Sequence, residues 1–144
     1  MNASLSPRLA ALVAGLPLDA HLQVLEIGCG PGAAARAVAA RLTSGQVLAI
    51  DRSAAAVAQA VAGSAAEIAS GRLRVRPAAV EDFVLEPGEE PFDLVLAVRV
   101  GALDGRHPTV GERALRRITA ATRPDARLFV DGGDPVREVP LPRP

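Results

Sequence analysis

The sequence predicts an α/β fold: a Rossmann-like, doubly wound and mostly parallel sheet with helices on both faces. Short apolar segments alternate with Ala-rich helical segments along the chain, as in proteins built from βαβ units. A glycine-rich loop at 28–32 joins the first apolar segment to a helical one, the usual place for a ligand-binding turn. The length of 144 residues suits one domain.

About five strands are predicted, and right-handed crossovers between them give the order 3-2-1-4-5. They are expected at 22–27, 46–51, 73–76, 92–98 and 127–131. Helices are expected at 6–16, at 33–42, at 53–70 with a weak point at Gly63 and Ser64, and after a capping box formed by Thr109 and Glu112. We therefore expect a domain at 1–131, followed by a Pro-rich tail at 132–144 that is extended or mobile.

The predicted fifth strand poses a problem of exposure. Leu128, Phe129 and Val130 would form an apolar sheet edge, and proteins normally cover such edges. We expect either the C-terminal tail or a second subunit to cover it, and the second alternative makes the protein a homodimer.

Composition excludes several kinds of chemistry. All sixteen basic residues are Arg, and the formal net charge is zero, so nothing indicates a nucleic-acid or membrane partner. Without Lys or Tyr, chemistry that depends on those side chains is excluded. The single Cys29 excludes an internal disulfide and a Cys-based zinc site, and we expect no metal. No apolar run is long enough to span a membrane, which favours a cytoplasmic protein.

The glycine loop and Asp51 are the candidate ligand-binding groups. Gly28 and Gly30 let a ligand approach the main chain closely, and the following helix offers its first amides to an anion. The alternative is a tight turn that binds nothing. Asp51 ends the second strand beside this loop, where its carboxylate would accept the hydroxyls of a ribose. Its alternative role is that of an N-terminal charge or cap partner for the helix at 53–70.

The segment 24–32 resembles motif I of the class I S-adenosylmethionine-dependent methyltransferases. The segments 48–53, 91–96 and 115–130 resemble the later parts of that fold. The resemblance implies a methyltransferase that binds S-adenosylmethionine and modifies a small-molecule acceptor. The sequence differs from many members of that family at Ala79, where they carry an Asp that contacts the adenine amino group. It also lacks the Asn-Pro-Pro-aromatic turn of enzymes that methylate base or amide nitrogens.

The resemblance also assigns the cofactor-binding residues. Glu26 would fix the loop and the amino group of the cofactor, Asp51 would bind the ribose, and Arg52 would flank the adenine. The turn at 79–82 would cover the adenine edge through Glu81, Asp82 or the main chain of Val80. The methionine part would lie against the loop and the turn after the fourth strand, at Gly28, Cys29, Gly30, Pro31, Gly32 and Val98.

Candidate catalytic residues follow the fourth strand. His107 is the natural general base and Asp104 would orient it, although the same residues also suit a polar surface loop. Arg99 either faces an anionic acceptor or pairs with an acid at the end of the strand.

Two other functions are compatible with the residues. The first is that of a catalytically degenerate member of the family, which binds S-adenosylmethionine or its demethylated product without turnover. The second is that of a nicotinamide-dependent oxidoreductase. Gly28, Gly30 and Ala33 satisfy the looser dinucleotide fingerprint, with Asp51 about twenty residues further on. The lack of Tyr and Lys argues against hydride transfer coupled to a proton.

Overall fold

A computed structural model describes residues 5–103 and 105–143, and in these ranges the chain forms one mixed sheet. Its strand order is β3-β2-β1-β4-β5-β6. The first five strands pair in parallel, and β6 runs antiparallel to β5. The predicted fold class and the order of the first five strands are confirmed. The strands are β1 (Gln23–Ile27), β2 (Gln46–Asp51), β3 (Leu73–Pro77), β4 (Phe92–Ala97), β5 (Thr122–Asp131) and β6 (Val136–Val139).

Capping residues, a proline and a weak point in the sequence determine where several of the helices begin and end. Ser6 caps the first helix by accepting the Leu9 N–H. The predicted helix at 53–70 is divided at Ser64, the expected weak point. The capping-box prediction is wrong, because the last helix begins at Pro108, whose fixed φ suits the first helical position. The helices are α1 (Pro7–Ala14), α2 (Ala33–Ala39), α3 (Ala54–Gly63), α4 (Ala65–Ala69) and α5 (Pro108–Ala120).

The core has two layers because side chains alternate between the faces of each strand. Val24 of β1 packs on one face with residues of α1 and α2, whereas Leu25 packs on the other face with Ile118 of α5. The central strands are therefore buried on both sides, which explains why their sequences are almost continuously apolar. Among the described residues, no helix has the length and apolar character needed to cross a membrane.

The C-terminal tail is part of the sheet. Residues Val136–Val139 pair with β5, so that Val130 lies opposite Arg137. Beyond them, the Arg143 guanidinium donates hydrogen bonds to Thr122 Oγ1 at 3.0 Å and to the Arg123 carbonyl at 2.7 Å. The β5 edge was expected to be covered by the C-terminal tail or by a second subunit, and in the structure the tail covers it. The expectation of a dimer through a bare β5 edge loses its basis, because that edge is already paired.

Candidate functional site

A cavity of about 930 Å³ opens at the carboxyl ends of β1, β2 and β4. Its walls are the glycine loop after β1, the end of β2, a 3₁₀ turn at Val80–Asp82, the turn after β4 and the start of α5. The strand order reverses between β1 and β4, and ligands of open parallel sheets bind at that reversal. The volume lies within the range of small-molecule sites.

The glycine loop presents bare main chain to the cavity. Gly28 and Gly30 have φ angles of 76° and 52°, in the region that favours glycine. A Cβ on Gly28 would lie 2.9 Å from Val100 Cγ2, whereas a Cβ on Gly30 would meet nothing within 4 Å. Gly28 therefore allows two loops to pack together, and Gly30 leaves open space for a ligand.

The amide groups of this loop are mostly used within the protein. The Gly28 and Cys29 N–H groups donate to the Ile50 carbonyl at 2.9 and 3.0 Å. The Gly30 N–H donates to Asp51 Oδ2 at 2.9 Å. These three amides hold the loop against β2, so the loop's carbonyl oxygens and the first amides of α2 remain as its candidate ligand-binding groups.

Gly32 differs from the other loop residues because it is not part of the cavity wall. Its φ angle is 92°, and a Cβ there would lie 3.2 Å from Ala60 Cβ in α3. Glycine at this position lets the start of α2 approach α3. Pro31 does line the cavity, as expected.

Asp51 fastens the end of β2 to the segments around it. In addition to the bond from Gly30, its Oδ1 accepts the Ser53 N–H at 2.9 Å. The turn that leads into α3 therefore uses this side chain, as the alternative interpretation expected. A carboxylate has about four acceptor sites, so two protein hydrogen bonds leave others for a ligand in the cavity.

Glu26 is a carboxylic acid in the middle of a buried strand. It is 2% exposed and lies between Ala49 of β2 and Leu96 of β4. Burial, and secondarily the charge of Asp51, raise its pKa from 4.5 to about 8, while Arg36 acts in the opposite direction. Its Oε1 has no hydrogen-bond partner in the described chain. Since Glu26 also lines the cavity, this oxygen marks a place for a ligand donor.

Cys29 does not supply a nucleophile. Burial, followed by the charges of Glu26 and Asp51, raises the pKa of its thiol to about 12. The Sγ lies 3.5 Å from the Gly30 carbonyl, to which it donates. A protonated thiol of this kind is chemically inert at neutral pH.

The wall beyond β2 carries two ion pairs. Arg52 pairs with Glu81 at 3.0 Å, and Arg113 pairs with Asp82 across the 3₁₀ turn. Val80 is 5% exposed and anchors this turn in the core. The acids predicted to meet the adenine therefore lie at the cavity and are already engaged by arginines.

The turn after β4 forms the wall of the cavity on the side opposite β2. Val98 is buried, and Arg99 has a positive φ of 54°. The Arg99 N–H donates to Asp131 Oδ1 at 3.0 Å, and Asp131 Oδ2 accepts Arg8 at 2.7 Å. The acid predicted as an alternative partner of Arg99 is thus present, but it binds the main chain of Arg99 and the side chain of Arg8.

Two of the three candidate catalytic residues, Arg99 and His107, are among the residues that the structure describes. His107 occupies the N-cap position of α5 without a side-chain capping bond, and it lines the cavity. Arg99 lines the cavity as well, whereas Asp104 lies outside the described residues. Leu9, Arg106, Val110 and Arg113 also line the cavity, although the sequence-based predictions assign none of them a role in the site. Arg106 adjoins His107 in sequence and was open to prediction; Leu9 belongs to a distant helix and gave no signal.

No group of three or more His, Cys, Asp or Glu side chains in the described part of the chain is arranged to hold a metal ion. The site therefore consists of bare main chain, a buried acid, a strand-end acid and arginines. This combination defines a Rossmann-like protein with a ligand cavity at its topological switch point. A family model described as a methyltransferase domain matches residues 24–125, and the chain belongs to that family.

Solved structures share the fold. The cyclase SpnF is 28% identical with a TM-score of 0.69, over 85% of this chain and 43% of that one. Coclaurine N-methyltransferase, bound to N-methylheliamine and S-adenosylhomocysteine, is 22% identical with a TM-score of 0.68, over 85% and 34%. YcgJ of Bacillus subtilis is 18% identical with a TM-score of 0.69, over 85% and 49%. The chain thus spans half or less of these proteins. No curated protein matches it.

Proposed function

We propose that this chain is an S-adenosylmethionine-dependent methyltransferase that acts on a small-molecule acceptor. The observation that carries the proposal is the unpartnered Oε1 of buried Glu26 at the wall of a cavity next to bare glycine backbone. A buried acceptor without a partner costs free energy, and a cationic donor from a ligand removes that cost. Membership of the methyltransferase domain family supports the same function.

The residues fit the proposed cofactor. Glu26 would accept the ammonium of its methionine part, and the open space at Gly30 would leave room for the ligand beside it. Asp51 retains acceptor sites for the ribose hydroxyls. The exposed side chain of Arg52 would flank the adenine near Val80. The loop contributes through close approach and its carbonyl oxygens, because the Gly28, Cys29 and Gly30 amides are already used.

S-adenosylmethionine, when bound, supplies an electrophilic methyl group on a positively charged sulfur. The residues of this chain have to hold the acceptor in line and exclude water, and orientation alone contributes roughly 7–11 kcal/mol to such reactions. The neutral thiol of Cys29 does not compete as a nucleophile. His107, at the cavity wall, is the proposed base for an acceptor that must lose a proton, and Asp104 is its proposed orienting residue.

Calorimetric titration tests the cofactor. We expect S-adenosylhomocysteine to bind, NAD not to bind, and Asp51→Ala to weaken S-adenosylhomocysteine binding by about tenfold or more, because charged hydrogen bonds are lost. Asp125→Ala is the matched control, since this exposed carboxylate lies outside the cavity wall. Binding of NAD alone would overturn the proposal, and an unchanged dissociation constant for Asp51→Ala would place the ribose elsewhere.

Methyl transfer is tested separately, by incubating the protein with S-adenosylmethionine that carries a radiolabelled methyl group and with the small-molecule fractions of a cell lysate. The expected result is label in a small molecule, with a lower rate for His107→Gln if the acceptor must be deprotonated. Label that stays entirely in the cofactor, in a protein that binds S-adenosylhomocysteine, would contradict the transferase function and leave cofactor binding intact.

A further inference from the structure

The charges of the cavity wall are separated by the order of the strands. The acids Glu26 and Asp51 belong to β1 and β2, whereas Arg99 and Arg106 follow β4 on the other side. Neighbouring strands lie about 4.8 Å apart, so the ends of β2 and β4 are roughly 10 Å apart. One cavity therefore has an acidic half and a basic half.

The remaining charges of the wall do not alter this division. Arg52 and Glu81 form one ion pair, and Arg113 and Asp82 form another. All the acids that line the cavity in the described chain are thus on the β1, β2 and 3₁₀-turn side. Asp131, which holds the main chain of Arg99, is outside the wall of this cavity.

Arg99 has a strained main-chain conformation, and its guanidinium group has no hydrogen-bond or ion-pair partner among the described residues. Its φ of 54° is uncommon for a residue other than glycine, and such strained positions cluster at functional sites. The residue is exposed at the cavity, and its side chain makes no hydrogen bond or ion pair with residues 5–103 or 105–143. The hydrogen bond from its N–H to Asp131 fixes the main chain and leaves the side chain available.

The same half of the cavity has an apolar part. Val100 and Val110 both line it, and Val110 is 39% exposed although it is apolar. Arg106 lies beside them, with its Nη2 3.1 Å from the position that a Cβ on Gly101 would take. A ligand here meets the Arg99 guanidinium and a short hydrophobic surface.

We propose that the methyl acceptor carries a carboxylate or phosphate group that binds Arg99, with Arg106 beside it, and a short apolar body that packs against Val100 and Val110. This inference rests on the proposed function, which places the cofactor over β1 and β2 and leaves the β4 side to the acceptor. The planar guanidinium of Arg binds both kinds of oxyanion through paired hydrogen bonds.

The test uses the isotopically labelled full chain saturated with S-adenosylhomocysteine and follows its amide resonances. Butyrate, butyl phosphate and neutral butyramide are titrated in parallel. We expect at least one anion to bind about tenfold more tightly than butyramide, as charged hydrogen bonds require. The tighter of the two anions identifies a carboxylate or a phosphate acceptor.

Two variants locate the effect. Arg99→Gln should abolish the preference for the anion, and Arg116→Gln should keep it. Arg116 is an exposed residue of α5 outside the cavity wall, so this control removes the same charge from the protein. Equal binding of butyramide and the anions, no measurable anion binding, or equal losses in the two variants would overturn the inference. Failure to bind S-adenosylhomocysteine would instead show that the proposed function itself is wrong.

Discussion

At the scale of single residues, Glu26 is where sequence and environment conflict most. A carboxyl group in a buried strand is costly, and the fold tolerates it by raising its pKa to about 8. The folded protein therefore keeps a proton that the unfolded chain releases above pH 4.5. By linkage, the contribution of Glu26 to stability is present below pH 4.5, falls as the pH rises toward 8, and is constant above that.

Proton release on cofactor binding follows from this pKa. At pH 7, a group with a pKa of about 8 is about nine-tenths protonated, and a bound ammonium favours its ionised form. We expect S-adenosylhomocysteine binding to release up to about 0.9 proton through Glu26 at pH 7. Calorimetric titration in buffers of different ionisation enthalpy measures this release.

Glu26→Gln is the matched control for proton release, because it keeps the shape of the side chain and cannot ionise. The difference in released protons between the original protein and this variant isolates the contribution of Glu26. Equal release from both proteins would show that the ammonium is bound elsewhere.

Sequence predicts local residues of the site better than distant ones. Gly28, Gly30 and Asp51 belong to short patterns whose geometry is set by neighbours in the chain, and the structure brings them to one cavity. Leu9 reaches the same cavity from α1, and no local pattern indicates that contact. The positive φ of Arg99 had no sequence signal either, because Arg99, in the turn after β4, bonds to Asp131 at the end of β5, which is 32 residues away in the chain.

At the scale of elements, the edge strand β3 shows how charged residues become part of the structure. Arg74 and Arg76 alternate along this strand, and both bind the carboxylate of Glu89. Glu89 accepts Arg74 at 2.7 Å and Arg76 at 2.6 Å, and its side chain is only 7% exposed. Burial would raise the pKa of Glu89, but hydrogen bonds, first that from Arg76 and then those from the Glu86 N–H and Arg74, lower it to about 2.

Glu89→Gln should lower the free energy of unfolding by about 2 kcal/mol at neutral pH, because it removes the charged partner of Arg74 and one of the two charged partners of Arg76, which also pairs with Glu86 at 3.2 Å. The folded pKa is depressed, so this stabilisation is present above pH 4.5 and is lost as the pH falls toward 2. The difference between the proteins should shrink over that range. Urea unfolding at several pH values measures it.

Glu90→Gln provides the comparison for Glu89. Glu90 is the next residue and pairs with Arg123 at 3.2 Å, but its side chain is 70% exposed. Exposed ion pairs contribute at most about 1 kcal/mol. Equal losses from the two substitutions would mean that the buried network at β3 is no stronger than a surface pair.

The long apolar strands are predicted well from the sequence, whereas the short last strand is not. The central strands β1, β2 and β4 were predicted closely because burial on both faces leaves a clear sequence signal. Strand β6 is only four residues long and lies between prolines; two of its residues are charged, so its two valines give too weak a strand signal to predict it. It forms because the unpaired edge of β5 supplies the hydrogen-bonding partners.

At the scale of the whole molecule, the two ends of the described chain complete the sheet and the site. Helix α1 is tied to the end of β5 through Arg8 and Asp131, and it places Leu9 at the cavity. Strand β6 is tied to β5 by its ladder and by Arg127, which binds Glu138 at 2.7 Å. Crossover rules predicted the parallel order, but they do not apply to an antiparallel return such as β6.

Removal of β6 should cause self-association, because it exposes the apolar edge formed by Leu128, Phe129 and Val130. A chain that ends at Gly133 loses the whole strand, whereas one that ends at Pro140 keeps it, so the pair separates loss of β6 from simple shortening. Light scattering over a range of concentrations should show growth of large species only for the first chain. If neither truncated chain forms larger species than the original protein does at any concentration, the role of β6 as cover for this edge is wrong.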